Sequence, residues 1–438
     1  MSSDTKADPI ELRRSLSVWQ VTASGVGIVI GAGIYVLIGP ATQDAGNAVW
    51  LSFVVAGVLS ALTGLSYAEL AGMFPSAGAE YSFAKNAFNE LTGFLVGWLM
   101  IAANVIAAGA VSIGFAHYFA HFASLDERVV AVGLIAVLTG VIVAGIQRSI
   151  WFSVALAIVQ IAGLLLVISA GAPHIGDRDL LAGASASGVL GGAALIFFAF
   201  IGFDEIVTLS EETRDPARMI PRALLLSLGV CSVLYVLVAI TAISVVGADA
   251  VAGSDTPLTV VIAHNWGSSA GDIVAAIAIA STTNTTLLML TAASRLLFRM
   301  SRDNSLPPVF ATVSAGPRAP WIAGLVVGAG AASFALVGDI SLVAAVTDFA
   351  VYTIFIVVNG ALITLRYRRP GAPRTFVTPL SLGKLPLLPV LGGIAAGAMA
   401  TQLEWSAWAI GFGTIALGLA IWGLRKYLPA PQHRIIGE

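Results

Sequence analysis

Long unbroken apolar runs alternate with short polar stretches along this chain. They lie near residues 17–41, 48–73, 88–121, 129–146, 150–171, 188–210, 222–247, 272–300, 320–337, 340–365, 385–402 and 405–424. A helix that crosses a bilayer needs ~20 mostly apolar residues, and these runs are about that long. A membrane barrel is disfavoured, because its strands are ~10 residues of alternating polarity. The pattern therefore predicts an all-α integral membrane protein with twelve transmembrane helices. The stretches 247–271, 301–319 and 366–384 are the longest loops, and none is large enough for a separate core.

The polar positions orient the bundle. If the N-terminus is cytoplasmic, Lys6, Arg13, Arg14, Lys85, Arg148, Arg214, Arg218, Arg222, Arg295, Arg299, Arg302, Arg318, Arg366, Arg368, Arg369, Arg374, Lys384, Arg425, Lys426 and Arg434 all fall inside. Of the 22 basic residues only Arg128 and Arg178 are left outside. Cytoplasmic loops retain Lys and Arg during insertion, so this asymmetry places both termini in the cytoplasm of a multi-pass cell-membrane protein. The stretch after Arg13 and Arg14 lacks the usual small-residue cleavage pattern and is read as a first span, not a signal peptide.

Composition agrees and removes several functions. Hydrophobic residues make up 58% of the chain and charged residues 11%, against ~25% charged in soluble domains. A net charge of −2 gives no basic footprint for nucleic acid, and the single cysteine, Cys231, excludes an intrachain disulfide.

Spans one and six carry glycine at mid-membrane, as IGAGI at residues 30–34 and FAFIGFDE at residues 198–205. One reading is close helix crossing through small residues. The other is a pair of interrupted helices in matching positions of two five-span halves, 17–171 and 188–365, which points to a substrate site at the midplane. Backbone groups freed by such a break are tolerated only where they line a cavity or bind something. The start of a half-helix favours an anion and its end a cation, so a zwitterion suits the pair.

With these stretches the sequence resembles the amino acid-polyamine-organocation (APC) family of permeases, nearest to its cationic amino acid transporter branch. The resemblance is carried by GVGIVIGAGIYVLIG in span one, SYAELAGMFPSAGAEYSFAKNAF from span two into the next loop, FFAFIGFDEIVTLSEETRDPARMIPRAL around span six and SRLLFRMSRDNSLP ending span eight. It implies the leucine-transporter-type fold. After an N-terminal segment 1–16 come inverted repeats 17–171 (spans one to five) and 188–365 (spans six to ten), peripheral spans in 385–424 and a tail 425–438. It also implies roles by position. In the first break, Val29, Ile30, Gly31, Ala32 and Gly33 line the substrate site, with the amides of Ala32 and Gly33 receiving a carboxylate. The carbonyls of Val29, Phe198 and Ile201 receive the α-amino group beside Gly202, Phe198 serves as a gate or packs as a core or lipid-facing phenylalanine, and Asn104 faces the substrate from span three or makes an interhelical hydrogen bond.

A charge at bilayer depth is costly, so Glu69, Asp204, Glu205 and Asp348 are functional candidates. Asp204 follows the second break, where it titrates, binds a cationic substrate group or caps the next half-helix. Glu69 lies near the cytoplasmic boundary and reaches the interface or pairs with a loop arginine. Asp348 has no partner in the pattern, and a structural bond or a transport role stay open. Span eight is rich in hydroxyls over 281–286, and Thr282 and Thr283 are candidate ligands for Na⁺, or bond back to their own helix. Gln160 stands where many family members carry a cationic lysine, leaving Na⁺, a proton at another group such as Asp204, or plain exchange as the coupling mode.

Other motifs fail on context. His117 and His121 are spaced for a shared metal but lack a third ligand, and Gly25-Val26-Gly27 precedes no βαβ unit, so neither metal nor cofactor is expected. The leading expectation is a secondary active permease for α-amino acids, with amino acid, lipid and co-transported H⁺ or Na⁺ as its partners, and not an enzyme. A polyamine exchanger is the alternative within transport, and a non-transporting receptor lies further off. Beyond Glu90 at its cytoplasmic edge, span three offers no acid to a cationic side chain, which favours neutral, apolar or small amino acids.

Overall fold

The computed structural model describes residues 16–74, 79–145, 150–211, 213–314 and 319–425. The expected N-terminal segment ahead of Leu16 and the tail beyond Arg425 lie outside the described residues, as do Arg148 and Arg318. The described chain is almost wholly helical: α1 (Val18–Val29), α2 (Gly33–Ala45), α3 (Val49–Met73), α4 (Ala79–Ala87), α5 (Glu90–Phe119), α6 (Glu127–Val143), α7 (Ile150–Gly171), α8 (Ala186–Ile196), α9 (Pro216–Val246), α10 (Ala248–Ala252), α11 (Pro257–Trp266), α12 (Ser268–Arg302), α13 (Trp321–Ala335), α14 (Ile340–Arg368), α15 (Leu387–Ala400) and α16 (Trp405–Leu424). Among the described residues, 8 helical stretches are long and apolar enough to cross a membrane, and Val18–Val29, Trp321–Ala335 and Leu387–Ala400 are shorter apolar helices. Every apolar run marked in the sequence coincides with a helix or a broken pair of helices.

Polar residues between the runs set where the helices begin. The side chains of Ser17, Asn89, Asp126, Ser185 and Asp339 each accept from a first-turn amide, at α1, α5, α6, α8 and α14 respectively. Each bond satisfies a donor that the helix itself leaves free. Small residues then let the helices approach. Gly109 of α5 lies against the backbone of α13, where an added Cβ would stand 3.0 Å from Ala331 O. Lipid gives helices no hydrophobic reason to associate, so such close packing supplies the cohesion.

α14 packs along α5, α15 and α3, and at the Arg-rich end it closes a buried ion cluster. Glu69 of α3 is fully buried. The Arg366 side chain of α14 donates from both Nε and a terminal nitrogen to its two oxygens, with Nε 3.0 Å from Oε1. Arg374 Nε lies 3.1 Å from Oε1, and the Thr378 amide donates to Oε2 at 2.8 Å. Of the two sequence readings, pairing with a loop arginine is the one observed. The cluster ties the loop after α14 to α3.

Breaking a buried pair strands a charge, at a typical cost of 3–5 kcal/mol, whereas replacing both partners by apolar groups is often neutral. Arg366→Met is expected to lower thermal stability in detergent by about 3 kcal/mol, with much of the loss recovered in Glu69→Leu/Arg366→Met. Equal instability of the single and double variants would assign the effect to packing instead of charge.

Candidate functional site

Both glycine-bearing segments break the helix. α1 ends at Val29, Ile30 leaves helical geometry (φ −72°, ψ 72°), and α2 starts at Gly33. Within the break, the Gly31 amide donates to Val29 O at 2.7 Å and the Ala32 amide to Thr285 Oγ1 at 3.1 Å. The amides of Gly33, Ile34 and Tyr35 open α2, where no residue of the same helix can accept from them and the helix carries its positive end.

The second break follows α8. A 3-10 turn, Phe197–Phe200, is followed by extended Ile201 (φ −62°, ψ 140°), Gly202 at φ 110° and a second 3-10 helix, Phe203–Glu211. Only glycine holds the backbone of position 202 without strain. Asp204 Oδ1 accepts from the Gly202 amide at 3.1 Å, so its carboxylate stabilises the bend.

The two breaks lie against each other. A Cβ built on Gly33 would collide with Ala199 Cα and Cβ, so the small side chain there is a packing requirement. Tyr235 of α9 bridges the freed carbonyls, its hydroxyl lying 2.7 Å from Val29 O and 3.1 Å from Ala199 O. The freed backbone is thus partly satisfied by one phenol, and the remainder faces a cavity of about 800 Å³.

Val29, Gly31, Ala32 and Gly33 of the first break line that cavity together with Phe198, Ile201, Gly202 and Asp204 of the second, and Asn104 of α5 lines it too. Ile30 is fully buried and does not line it; Ile28 does. Asn104 donates from Nδ2 to Met100 O at 3.0 Å, which leaves its Oδ1 for other use. The rest of the lining is mainly apolar, including Ala103, Ala107, Met289, Val351 and Phe355. Through Met100, Asn104, Asp204, Glu205 and Leu288 the cavity continues into a second one of about 1020 Å³, reaching Glu80, Arg295 and Arg299. The opening therefore runs to the Arg-rich end.

The ion candidates sit elsewhere. Gln160 is fully buried, and its Nε2 donates to Ser281 Oγ at 3.0 Å. Thr282 and Thr283 donate back to α12 carbonyls at 2.8 Å, the bland alternative for span-eight hydroxyls. His117 lies 3.5 Å from Glu127, and His121 2.7 Å from Asp272.

The structure adds residues that the sequence did not single out. Thr285 lay inside the hydroxyl run, but only its position against the Ala32 amide distinguishes it from its neighbours. Tyr235 had a weak signal, a lone phenol mid-run in span seven, and Tyr67 was similarly unmarked. Glu80 of α4, outside the apolar runs, is 4% exposed and hydrogen-bonded to Tyr67. Burial, with the nearby charges of Asp204 and Glu205, pushes its carboxyl up to about 8, against the opposing pull of the Tyr67 bond.

The comparisons with known proteins follow this geometry. A family model described as amino acid permease matches residues 16–423. The branched-chain amino acid permease of Bacillus subtilis is 32% identical over 88% of this chain and 86% of its own length. The methylthioribose transporter of Bacillus subtilis is 29% identical over 98% and 95% respectively. The vacuolar cationic amino acid transporter 2 of Arabidopsis thaliana is 30% identical over 82% of this chain and 61% of its own length.

A raised carboxyl binds its proton more tightly in the folded state, so its stabilising contribution is full at low pH. It is lost as pH rises through the ordinary carboxylate range to about 8. Thermal unfolding of the parent and Glu80→Gln across about pH 5 to 9 checks this: the amide stays neutral, so the variant should lose less stability on alkalinisation. Parallel pH curves would contradict a buried proton on Glu80.

Proposed function

Because the chain belongs to the amino acid permease family, we propose that it is a secondary active transporter that moves neutral, apolar α-amino acids across the cell membrane by alternating access. The observation that carries this reading is the meeting of the two helix breaks across one cavity. A carboxylate fits the Ala32 and Gly33 amides at the start of α2, displacing the Thr285 hydroxyl from the Ala32 amide. An ammonium fits the carbonyls of Phe198 and Ile201, and it reaches Val29 O by displacing the Gly31 amide or the Tyr235 hydroxyl, which both bond that oxygen here. Asp204 adds negative charge on the same side while holding the bend.

An apolar substrate side chain suits the Met, Ala and Val lining, and the similar branched-chain permease is consistent with that choice. A polyamine would leave the α2 amides without an anion, which disfavours the exchanger alternative. Phe198 borders both the break and the cavity, the place for a gate. The family supports twelve spans, with 17–171 and 188–365 as inverted repeats and 385–424 peripheral. With both termini on the Arg-rich cytoplasmic side, the cavity described above is inward-facing.

Coupling turns on Gln160. Its Nε2 already bonds Ser281, and Thr282 and Thr283 donate to their own helix, while Gln160 Oε1 is buried without a hydrogen-bond partner among the described residues. One unpartnered oxygen does not make a cation site, which supports a transporter that does without sodium.

Uptake of radiolabelled L-leucine, L-isoleucine and L-valine into proteoliposomes tests the proposal. Uptake is expected at the same rate with Na⁺ replaced by choline, and Phe198→Ala is expected to lower it by about tenfold, equivalent to ~1.4 kcal/mol. Absence of uptake of all twenty amino acids by folded protein would overturn the function, and a sodium requirement would overturn the role given to Gln160.

A further inference from the structure

Asp348 of α14 is fully buried, and neither of its carboxyl oxygens has a hydrogen-bond partner among the described residues. The treatment of Glu69 shows how differently this chain handles a buried ion, since that carboxylate receives two guanidinium groups and a backbone amide. Without donor or counter-charge, an ionised Asp348 would be strongly disfavoured at membrane depth, and the neutral carboxyl is the form that the site accommodates.

Its position gives the proton a route. Ser341, Ala345, Asp348 and Tyr352 follow one another at intervals of four, three and four, which puts them on one stripe of α14. Ser341 and Ala345 line a separate polar vestibule of about 560 Å³, together with Gln43, Asp44, Gln402 and Glu404. Ala194 lines it too, and its carbonyl accepts from the Tyr352 hydroxyl at 2.9 Å. Asp348 thus lies one turn beyond the vestibule residues on the same stripe. Its sequence neighbour Thr347 and nearby Val351 line the central cavity. Asp348 itself lines neither space, and its neighbours along α14 line both.

Few charges face it. Tyr352 is on its own helix, and Asp44 and Glu404 lie across the vestibule, which no Lys, Arg or His lines among the described residues. Of the elements packed on α14, α8, α15, α16 and the turn Phe197–Phe200 carry no titratable side chain. α3 brings Tyr67 and the paired Glu69; α4 brings Glu80, Tyr81 and Lys85; α5 brings Glu90, His117 and Tyr118. Lys85 pairs with Glu90 and His117 with Glu127, and Tyr118 donates to Tyr35 O. The acidic vestibule attracts protons, and nothing basic along it competes for them.

We propose that Asp348 is a proton-binding site that couples transport to a proton gradient, loaded through the vestibule lined by Asp44 and Glu404. This rests on the alternating-access reading above. The carboxylate takes a proton from vestibule water to become the neutral carboxyl, and gives it to water of the central cavity when rearrangement of α14 hydrates it. One proton crosses per cycle, and no other reactant is consumed.

The test separates exchange from accumulation in proteoliposomes, using radiolabelled L-leucine, L-isoleucine and L-valine. A gradient of one pH unit, alkaline inside, sustains up to about tenfold accumulation of a neutral substrate carried with one proton. The parent should accumulate under this gradient and Asp348→Asn should only equilibrate, while still exchanging labelled for unlabelled substrate. Asp348→Glu, which keeps the carboxyl, should accumulate as the parent does, and also serves if the Asn variant does not fold: a folded Asp348→Glu protein that exchanges substrate but no longer accumulates it under the gradient contradicts the proposal. Accumulation by Asp348→Asn equal to the parent, or a gradient response lost in Asp204→Asn and kept in Asp348→Asn, would also overturn it. Failure of exchange in the folded parent would overturn the permease reading itself, a different result from exchange without accumulation.

Discussion

A peptide group freed from its helix at membrane depth must find another partner, and the centre of this molecule is built around that constraint. At residues 30–32 and 197–202 the chain abandons α-helical hydrogen bonding in two places that face each other. Tyr235 satisfies one carbonyl from each break with a single hydroxyl, and Thr285 holds the Ala32 amide. What these two side chains do not cover opens onto a cavity whose other walls are mainly apolar. An amide end and a carbonyl end, set apart in an apolar space, complement the charges of a zwitterion. The Gly33 contact with Ala199 keeps the two ends in register.

The buried acids follow from the same shortage of water. Glu69 is compensated fully and serves as a clamp between α3 and the loop after α14. Asp204 gains the Gly202 amide and fixes the second break. Glu80 stands beside Asp204 at the mouth of the path, where burial and like charge favour its neutral form. Asp348 has no compensation, which sets it apart from the other three. A chain that can ill afford buried charge has arranged these carboxyls in different environments.

Helix positions were legible in the sequence because a bilayer demands long apolar runs, and all the marked runs are helices. The breaks were legible from glycine in spans one and six. Glycine alone does not distinguish a break from a close crossing, and Gly33 proves to take part in both. The wall residues of the cavity followed from the breaks, except that Ile28 lines it and Ile30 does not. Tyr235, Thr285 and Glu80 were not legible. Tyr235 reaches Val29, Thr285 reaches Ala32 and Glu80 comes beside Asp204 across more than a hundred residues of chain, and no local period or spacing marks such a contact. The hydroxyl run of span eight was visible but ambiguous, and the structure adds that Thr282 and Thr283 donate back to carbonyls of their own helix.

The central claim is that the two breaks read the two charged groups of an amino acid separately. Calorimetric titration of the detergent-purified protein with L-leucine, with its decarboxylated amine and with its deaminated acid tests that claim most directly. Loss of either charged group should abolish measurable binding, because each leaves one break facing an apolar atom, at a cost of about 1–3 kcal/mol or more for a group left unpaired. Equal binding of the amine or the acid would contradict the account, since one of the two breaks would then have no part in recognition.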